Sequence, residues 1–264
     1  MSVVLYEKKG RIAYITLNRP EKLNAINDEI VEGLQKAWVD FRDDDDLWVA
    51  ILAGNGRAFC AGADIAGSRS VKAAPIRPGP PPNVIRATSK ALRTAPTAFE
   101  VWKPIICALH GYVYGAGTWL ALNCDIRVAA EGTKFGIPEV RFSRAVNFAP
   151  LVSQYIPMGI ASELLLWGDP ISAERAYSLG IFNMVVPGEE LMPTATKLAE
   201  KVCENAPLAV RATKEVMWRG REIPSFEGKM ALAETLFPRV TNSEDYKEGV
   251  NAFKEKRKPV WKGK

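Results

Sequence analysis

Hydrophobic positions recur at two different spacings near the start of the chain, and each spacing predicts a different element. Residues 11–18 (RIAYITLN) and 48–54 (WVAILAG) are short apolar, β-branched runs, as in buried strands. Residues 27–42, which begin with Asn27 or Asp28 as a helix N-cap, carry apolar side chains at helical spacing: Ile30, Val31, Leu34, Ala37, Trp38 and Phe41. A strand, a helix and a second strand in this order predict a βαβ-type unit.

The same alternation continues to about residue 195. The patterns predict a helix over residues 116–123 and strands over residues 104–110, 125–130, 133–136 and 181–186. Repeated strands with helices between them indicate the α/β fold class, with a buried mixed sheet.

The last part of the chain differs, because residues 196–264 contain only helical patterns and a basic tail. We therefore predict an α/β domain at residues 1–195 and a C-terminal helical region at residues 196–264, which docks on a neighbour or closes over a ligand. Residues 66–83 are rich in Pro, Gly and basic residues, which predicts a surface loop beside a binding site.

Composition narrows the function classes. No apolar run is long enough to span a membrane, and the first twenty residues lack the features of a secretory or transit signal, so we expect a cytoplasmic protein without a membrane partner. Four cysteines without C-x-x-C spacing and a single histidine, His110, argue against a disulfide framework, a metal site and a Ser-His-Asp triad. The net charge of +5 is compatible with a nucleic acid, an anionic lipid, a phosphorylated cofactor or a merely basic surface.

Small residues follow two of the predicted strands. Ala61, Gly62 and Ala63 leave the backbone uncovered, so that a ligand can approach its N–H groups, although a tight turn has the same composition. Gly115 and Ala116 precede the predicted helix, whose first N–H groups suit an oxyanion, although glycine-rich turns before helices are common.

Glu139 follows Pro138 in an otherwise apolar segment. A carboxylate in such surroundings is expected to have a raised pKa and to act as a general acid or base. A solvated loop glutamate is the alternative.

Taken in order, four motifs carry a resemblance to a known family: NRPEKLNA at 18–25, AFCAGADI at 58–65, HGYVYGAG with CDIRVAAEGTKFGIPE within 110–139, and EGVNAFKEKRKPVWK at 248–262. The chain resembles the crotonase (enoyl-CoA hydratase/isomerase) family from residue 3 to residue 262. The resemblance implies a spiral of ββα units, a homotrimer or homohexamer, and acyl-CoA thioester substrates. Coenzyme A then belongs to the substrate, and no separate cofactor is expected.

The resemblance also implies roles for individual residues. It places the oxyanion hole on the backbone N–H groups of Ala63 and Ala116 and the acid/base role on Glu139. It places CoA-binding positions at Lys22, Leu23, Ala61, Asp64, Ile65, Phe237 and Lys256, with the last two supplied by a neighbouring subunit.

Two aromatic residues depart from the hydratase pattern. Trp119 stands where hydratases of the family carry a first glutamate, and Phe148 stands where a glycine helps to hold water. A single glutamate resembles the family's Δ3,Δ2-enoyl-CoA isomerases, so we expect double-bond isomerisation or a related proton transfer. The alternatives are an enoyl-CoA hydratase with an atypical water site and an inactive CoA-thioester-binding protein; no RNA-binding motif supports a nucleic-acid partner.

Overall fold

The short apolar runs form a six-stranded sheet at the centre of the molecule. The computed structural model describes residues 2–65 and 94–264, so the loop expected at 66–83 lies outside the described residues. The described strands are β1 (Val4–Lys9), β2 (Ile12–Leu17), β3 (Val49–Gly54), β4 (Ile105–Leu109), β5 (Tyr112–Tyr114), β6 (Ile126–Ala130), β7 (Lys134–Gly136), β8 (Ile171–Ser172) and β9 (Met184–Val186). The large sheet has the order β1-β2-β3-β4-β6-β9, and all neighbours except β1 and β2 are parallel.

The expected βαβ unit is confirmed by β2, the first helix and β3. That helix, α1, spans Asp28–Asp43, and the side chain of Asn27 accepts a hydrogen bond from the N–H of Ile30 as its N-cap. The six apolar residues at helical spacing are all buried. Because β2 and β3 are parallel, α1 crosses from one end of the sheet to the other and covers its face.

The other described α-helices are α2 (Ala116–Leu122), α3 (Ala149–Val152), α4 (Met158–Trp167), α5 (Ala173–Ser178), α6 (Leu191–Cys203), α7 (Pro207–Gly220), α8 (Phe226–Thr241) and α9 (Glu244–Glu255). None of the helices described is both long and apolar enough to cross a membrane. No strand follows β9 in the described chain, so residues 196–264 contain helices and a non-helical tail, as the sequence predicts.

The predicted boundary after residue 195 falls within α6. Leu191, Ala195 and Ala199 on this helix are buried against the sheet residues Ile51 and Ile106. Helix α6 therefore packs on the α/β domain, whereas α7, α8 and α9 form the remainder of the C-terminal region.

A second, three-stranded sheet with the order β5-β7-β8 determines where the candidate site forms. Strands β5 and β7 are parallel, with Tyr114 opposite Gly136. The segment after β3 lies beside β5 through a bridge between Cys60 and Val113. Residues that follow β3, β5 and β7 consequently emerge close together.

Candidate active site

Gly115 and Glu139 come together because each follows one of two paired strands. Gly115 comes directly after β5, and its N–H donates to the carbonyl of Gly136 at the end of β7 (3.1 Å). After β7 the chain enters a short 3-10 helix, Pro138–Phe142, with proline in its first turn, where the missing N–H is not needed. Glu139 is thereby held over the beginning of α2.

The carboxyl group of Glu139 packs directly on the Cα of Gly115. A Cβ added at residue 115 would lie 2.5 Å from Oε1 and 3.2 Å from Cδ of Glu139. Gly115 also has φ 51°, in the left-handed region, where residues with a side chain are strained. Glycine at this position is therefore required twice, for the turn and for the space that the carboxyl group occupies.

The surroundings of Glu139 favour its protonated form. Burial raises the pKa of this carboxyl group above its ordinary value, and its own backbone N–H and the charge of Arg144 offset the rise only in part. Oε2 is buried and has no hydrogen-bond partner among the described residues. A buried carboxylate oxygen without a partner is costly unless a ligand or water completes it.

Two backbone N–H groups face the same region. In the bridge between Ile26 and Ala63, the N–H of Ile26 donates to the carbonyl of Gly62, and the N–H of Asp64 donates to the carbonyl of Ile26. The N–H of Ala63 takes no part in this pairing. Ala116 is the first residue of α2, and its N–H precedes the hydrogen bonds of the helix. Neither N–H has an acceptor within the described part of the chain.

Gly62 brings these two donors into neighbouring positions. Its φ is 108°, and a Cβ added there would lie 3.3 Å from the carbonyl oxygen of Tyr114 and 3.9 Å from the nitrogen of Ala116. The structure thus places Ala63, Ala116 and Glu139, the three predicted catalytic positions, around one point at the start of α2.

Trp119 and Phe148, the two aromatic residues that depart from the hydratase pattern, form an aromatic wall one helical turn from Gly115. Trp119 lies one helical turn beyond Gly115, to whose carbonyl its backbone N–H donates (3.0 Å). Its ring centroid is 5.7 Å from that of Phe148, at an interplanar angle of 52°. The indole Nε1 is buried and has no acceptor among the described residues. The site therefore contains one buried acceptor and one buried donor without partners.

Five of the predicted CoA-binding positions lie on two adjacent loops. Lys22 and Leu23 end the 3-10 helix Pro20–Lys22, and the carbonyl of Leu23 accepts from the N–H of Ala61 (2.9 Å). The Asp64 carboxylate forms an ion pair with Arg19 (2.6 Å), and Ile65 follows it on the same loop, half exposed. The structure thus clusters these residues beside Ala63.

Phe237 and Lys256 lie apart from those loops in sequence and in the fold. Phe237 is exposed on α8, and Lys256 is the residue that ends α9, with φ 53°. Their assignment to a neighbouring subunit's site remains a prediction.

Comparison with known proteins identifies the family of this chain. The family model described as enoyl-CoA hydratase/isomerase matches residues 7–264. The chain belongs to the enoyl-CoA hydratase/isomerase family. It is 36% identical to (E)-benzylidenesuccinyl-CoA hydratase of Thauera aromatica (98% of this chain, 99% of the relative), and 36% identical to carnitinyl-CoA dehydratase of Salmonella typhi (97% of each chain).

The fold agrees as well. A crystal structure of an enoyl-CoA hydratase/isomerase from Mycobacterium paratuberculosis matches with a TM-score of 0.90 and 34% identity over 99% of both chains. The expected crotonase-type α/β fold is therefore confirmed. The protein is therefore an enzyme of the enoyl-CoA hydratase/isomerase family.

Several residues that build this family member's site were not singled out from the sequence. The buried hydroxyl of Thr118 donates to the carbonyls of Val113 and Gly136, which fixes the start of α2 on β5 and β7. Arg19 holds Asp64, and Arg144 acts on Glu139 through its charge. These roles depend on contacts between separate segments of the chain, and no local sequence pattern indicates them.

Proposed function

We propose that this enzyme adds water to the double bond of an enoyl-CoA, and removes it in reverse, with Glu139 as its one catalytic carboxylate. The observation that carries the proposal is the buried, unpartnered Oε2 of Glu139 beside the unused N–H groups of Ala63 and Ala116. A base next to two donors suits a reaction in which charge develops on a thioester oxygen.

In the direction of water loss, the Glu139 carboxylate removes a proton from the α-carbon. The electrons move onto the thioester oxygen, which accepts hydrogen bonds from the N–H groups of Ala63 and Ala116; one such donor contributes ~3 kcal/mol to lowering the barrier. The bond between the β-carbon and the hydroxyl oxygen then breaks, the α,β double bond forms, and protonated Glu139 returns its proton to the departing hydroxyl as water. One carboxylate is sufficient because it is regenerated in each cycle.

The indole N–H of Trp119 is the group that we propose binds the water. An indole cannot take up a proton at neutral pH, but it donates one hydrogen bond. A buried Nε1 without an acceptor among the described residues is suited to hold the oxygen of the water or hydroxyl. The two relatives described above are named as a hydratase and a dehydratase, which supports the proposal.

Double-bond isomerisation is the second candidate, and the single carboxylate favours it. The first half of the reaction is identical, but Glu139 then returns its proton to the γ-carbon and no hydroxyl leaves. The segment from residue 66 to residue 93 contains no Asp or Glu, so it supplies no second carboxylate. In both reactions coenzyme A enters with the substrate, and no further cofactor is needed.

Turnover of a 2-enoyl-CoA and a 3-enoyl-CoA in heavy-oxygen water distinguishes the two reactions. Hydration predicts labelled 3-hydroxyacyl-CoA from the 2-enoyl substrate; isomerisation without label in the product would reject it. Trp119→Phe keeps the aromatic ring and removes the N–H, so water addition should fall about tenfold, the value of one hydrogen bond. Exchange of the α-proton with solvent should persist in that variant, because Glu139 remains.

We also propose that the enzyme assembles as a trimer or a dimer of trimers. Phe226, Phe237 and Phe253 in the C-terminal region are 71%, 54% and 87% exposed, more than a monomer needs to leave in water. Light scattering that shows a stable monomer at micromolar concentration would reject this assembly.

A further inference from the structure

A cavity of about 360 Å³ begins at the aromatic wall and extends to residues that the proposed mechanism does not use. Trp119 and Phe148 line one part of it, and Gln154, Trp218 and Arg221 line another. Glu139 is not among the lining residues. The cavity therefore begins at Trp119 and Phe148, beyond the point at which Ala63, Ala116 and Glu139 meet.

One face of α2 connects the two places. The N–H of Trp119 donates to the carbonyl of Gly115, and the N–H of Asn123 donates to the carbonyl of Trp119 (3.0 and 3.2 Å). Residues four apart lie above one another on a helix, so these three positions form one line. Gly115 packs on Glu139, whereas Asn123 lines the cavity, about 12 Å further along the axis at 1.5 Å per residue.

Arg221 lines the cavity, and its guanidinium group is packed between aromatic rings. The guanidinium carbon lies 5.2 Å from the ring centroid of Tyr155 and 5.0 Å from that of Trp218. With aromatic rings packed against it, the planar group keeps its N–H donors at the edge. One of them, on Nη2, donates to Gln154, and within the described chain no carboxylate pairs with Arg221.

The neighbourhood adds positive charge and donors. The guanidinium of Arg127 stacks on Tyr155 as well (4.8 Å), and its described hydrogen bonds go to the backbone carbonyls of Cys124 and Ile181. Two guanidinium groups stacked on Tyr155 concentrate positive charge beside the cavity, which favours an anionic ligand group.

We propose that this cavity binds the far end of the acyl group and selects acyl-CoA thioesters whose acyl chain ends in a carboxylate, which Arg221 holds through its guanidinium edge. The inference rests on the proposed function only in that the thioester lies at Ala63 and Ala116. Arginine pairs with a carboxylate through two parallel hydrogen bonds, which a methyl end does not replace.

Glu222 opposes this assignment, because its carboxylate also lines the cavity. The side chains of Glu222 and Arg221 are both exposed, but no hydrogen bond or ion pair to a described residue fixes Glu222, so it is able to turn toward solvent. Arg221, in contrast, is held by two rings and Gln154. If Glu222 were the recognising group, an acyl chain with a cationic end would bind best.

Binding of saturated acyl-CoAs tests the proposal without any turnover. Calorimetry compares octanoyl-CoA, its analogue with a carboxylate at C8, and an analogue of the same length with a trimethylammonium end. The carboxylate ligand should bind at least tenfold more tightly than octanoyl-CoA. Arg221→Gln should abolish this preference and leave octanoyl-CoA affinity within about twofold.

Arg219→Gln is the matched control. It removes the same charge two residues away, but Arg219 pairs with Glu100 and Glu215 and does not line the cavity, so the preference should survive. Equal or weaker binding of the carboxylate ligand, best binding of the cationic ligand, or an unchanged preference in Arg221→Gln would each overturn the proposal. If none of the three ligands binds, the assignment of an acyl-CoA site is refuted. This outcome distinguishes failure of the proposed function from failure of the carboxylate preference alone.

Discussion

Two carboxylates at opposite ends of α2 are similarly half-buried but have opposite surroundings. Asp125, beyond the C-terminal end, accepts from the N–H of Ile105 (2.7 Å) and the Nε1 of Trp218 (2.9 Å), and pairs with Lys214 (2.7 Å). Glu139, at the N-terminal end, has an oxygen without any described partner.

The difference separates a structural role from a chemical one. Both oxygens of Asp125 are occupied by the protein, so its charge is stabilised and it joins β4, β6 and α7. In Glu139, by contrast, one carboxyl oxygen is desolvated and has no described hydrogen-bond partner, which keeps a proton acceptor available for a ligand. Substitutions at the two ends of α2 should therefore affect different properties.

The largest effect is expected for Glu139→Gln. The amide keeps the size of the side chain but cannot accept the proton, so hydration and α-proton exchange should both fall by ~10³-fold. Steady-state kinetics and deuterium incorporation measure the two losses, and an unchanged affinity for a saturated acyl-CoA shows that the site remains folded. Activity within tenfold of the wild type would exclude Glu139 as the acid/base.

Gly115→Ala tests whether the carboxyl group must lie on this glycine. The new Cβ would displace Glu139, and a shift of about 1 Å is enough to lower turnover ~100-fold. Gly132→Ala is the control, because Gly132 also has positive φ (76°) but has open space around it. Equal losses of turnover in the two variants would mean that backbone strain, and not the contact with Glu139, is responsible.

Asp125→Asn should act on stability and spare the chemistry. It leaves the buried ammonium group of Lys214 without its carboxylate, which costs about 3 kcal/mol of the free energy of unfolding. Chemical denaturation measures the loss, and turnover per folded molecule should stay near the wild-type value. Asp169→Asn breaks the exposed pair with Arg141 and should cost less than about 1 kcal/mol. Similar losses for the two variants would contradict the structural role of Asp125.

The smallest effects concern pH. Glu139 must be ionised to act as a base, and burial raises its pKa above 4.5. The value of kcat/KM should therefore fall as the pH drops through this raised pKa. The same decrease at low pH should be absent from the residual activity of Glu139→Gln.

The same raised pKa has a consequence for stability. The folded state binds the proton more tightly than the unfolded state, so wild-type stability decreases as pH rises from the unfolded pKa through the folded one. The melting temperature of Glu139→Gln should therefore exceed that of the wild type at neutral pH and coincide with it below pH ~4. A difference that is constant over this range would contradict a raised pKa.

The sequence by itself determined the elements and the candidates for chemistry. The spacing of Ile30, Leu34 and Trp38 is local information, and so is the order of strand, glycine-rich turn and helix around Gly115; both predicted the elements that the structure contains. The family resemblance that the four motifs carry singled out Ala63, Ala116 and Glu139, and it could be read from the sequence because the residues of each motif are contiguous.

Tertiary structure alone decided how these residues relate to one another. The contact between Gly115 and Glu139 depends on the register of β5 on β7, and the partners of Asp125 come from Ile105, Lys214 and Trp218. The cavity at Arg221 likewise joins α2 to the end of α7. Such contacts link residues from 20 to more than 90 positions apart, and no periodicity along the chain encodes a pairing of that kind; it arises only when the sheets and helices pack.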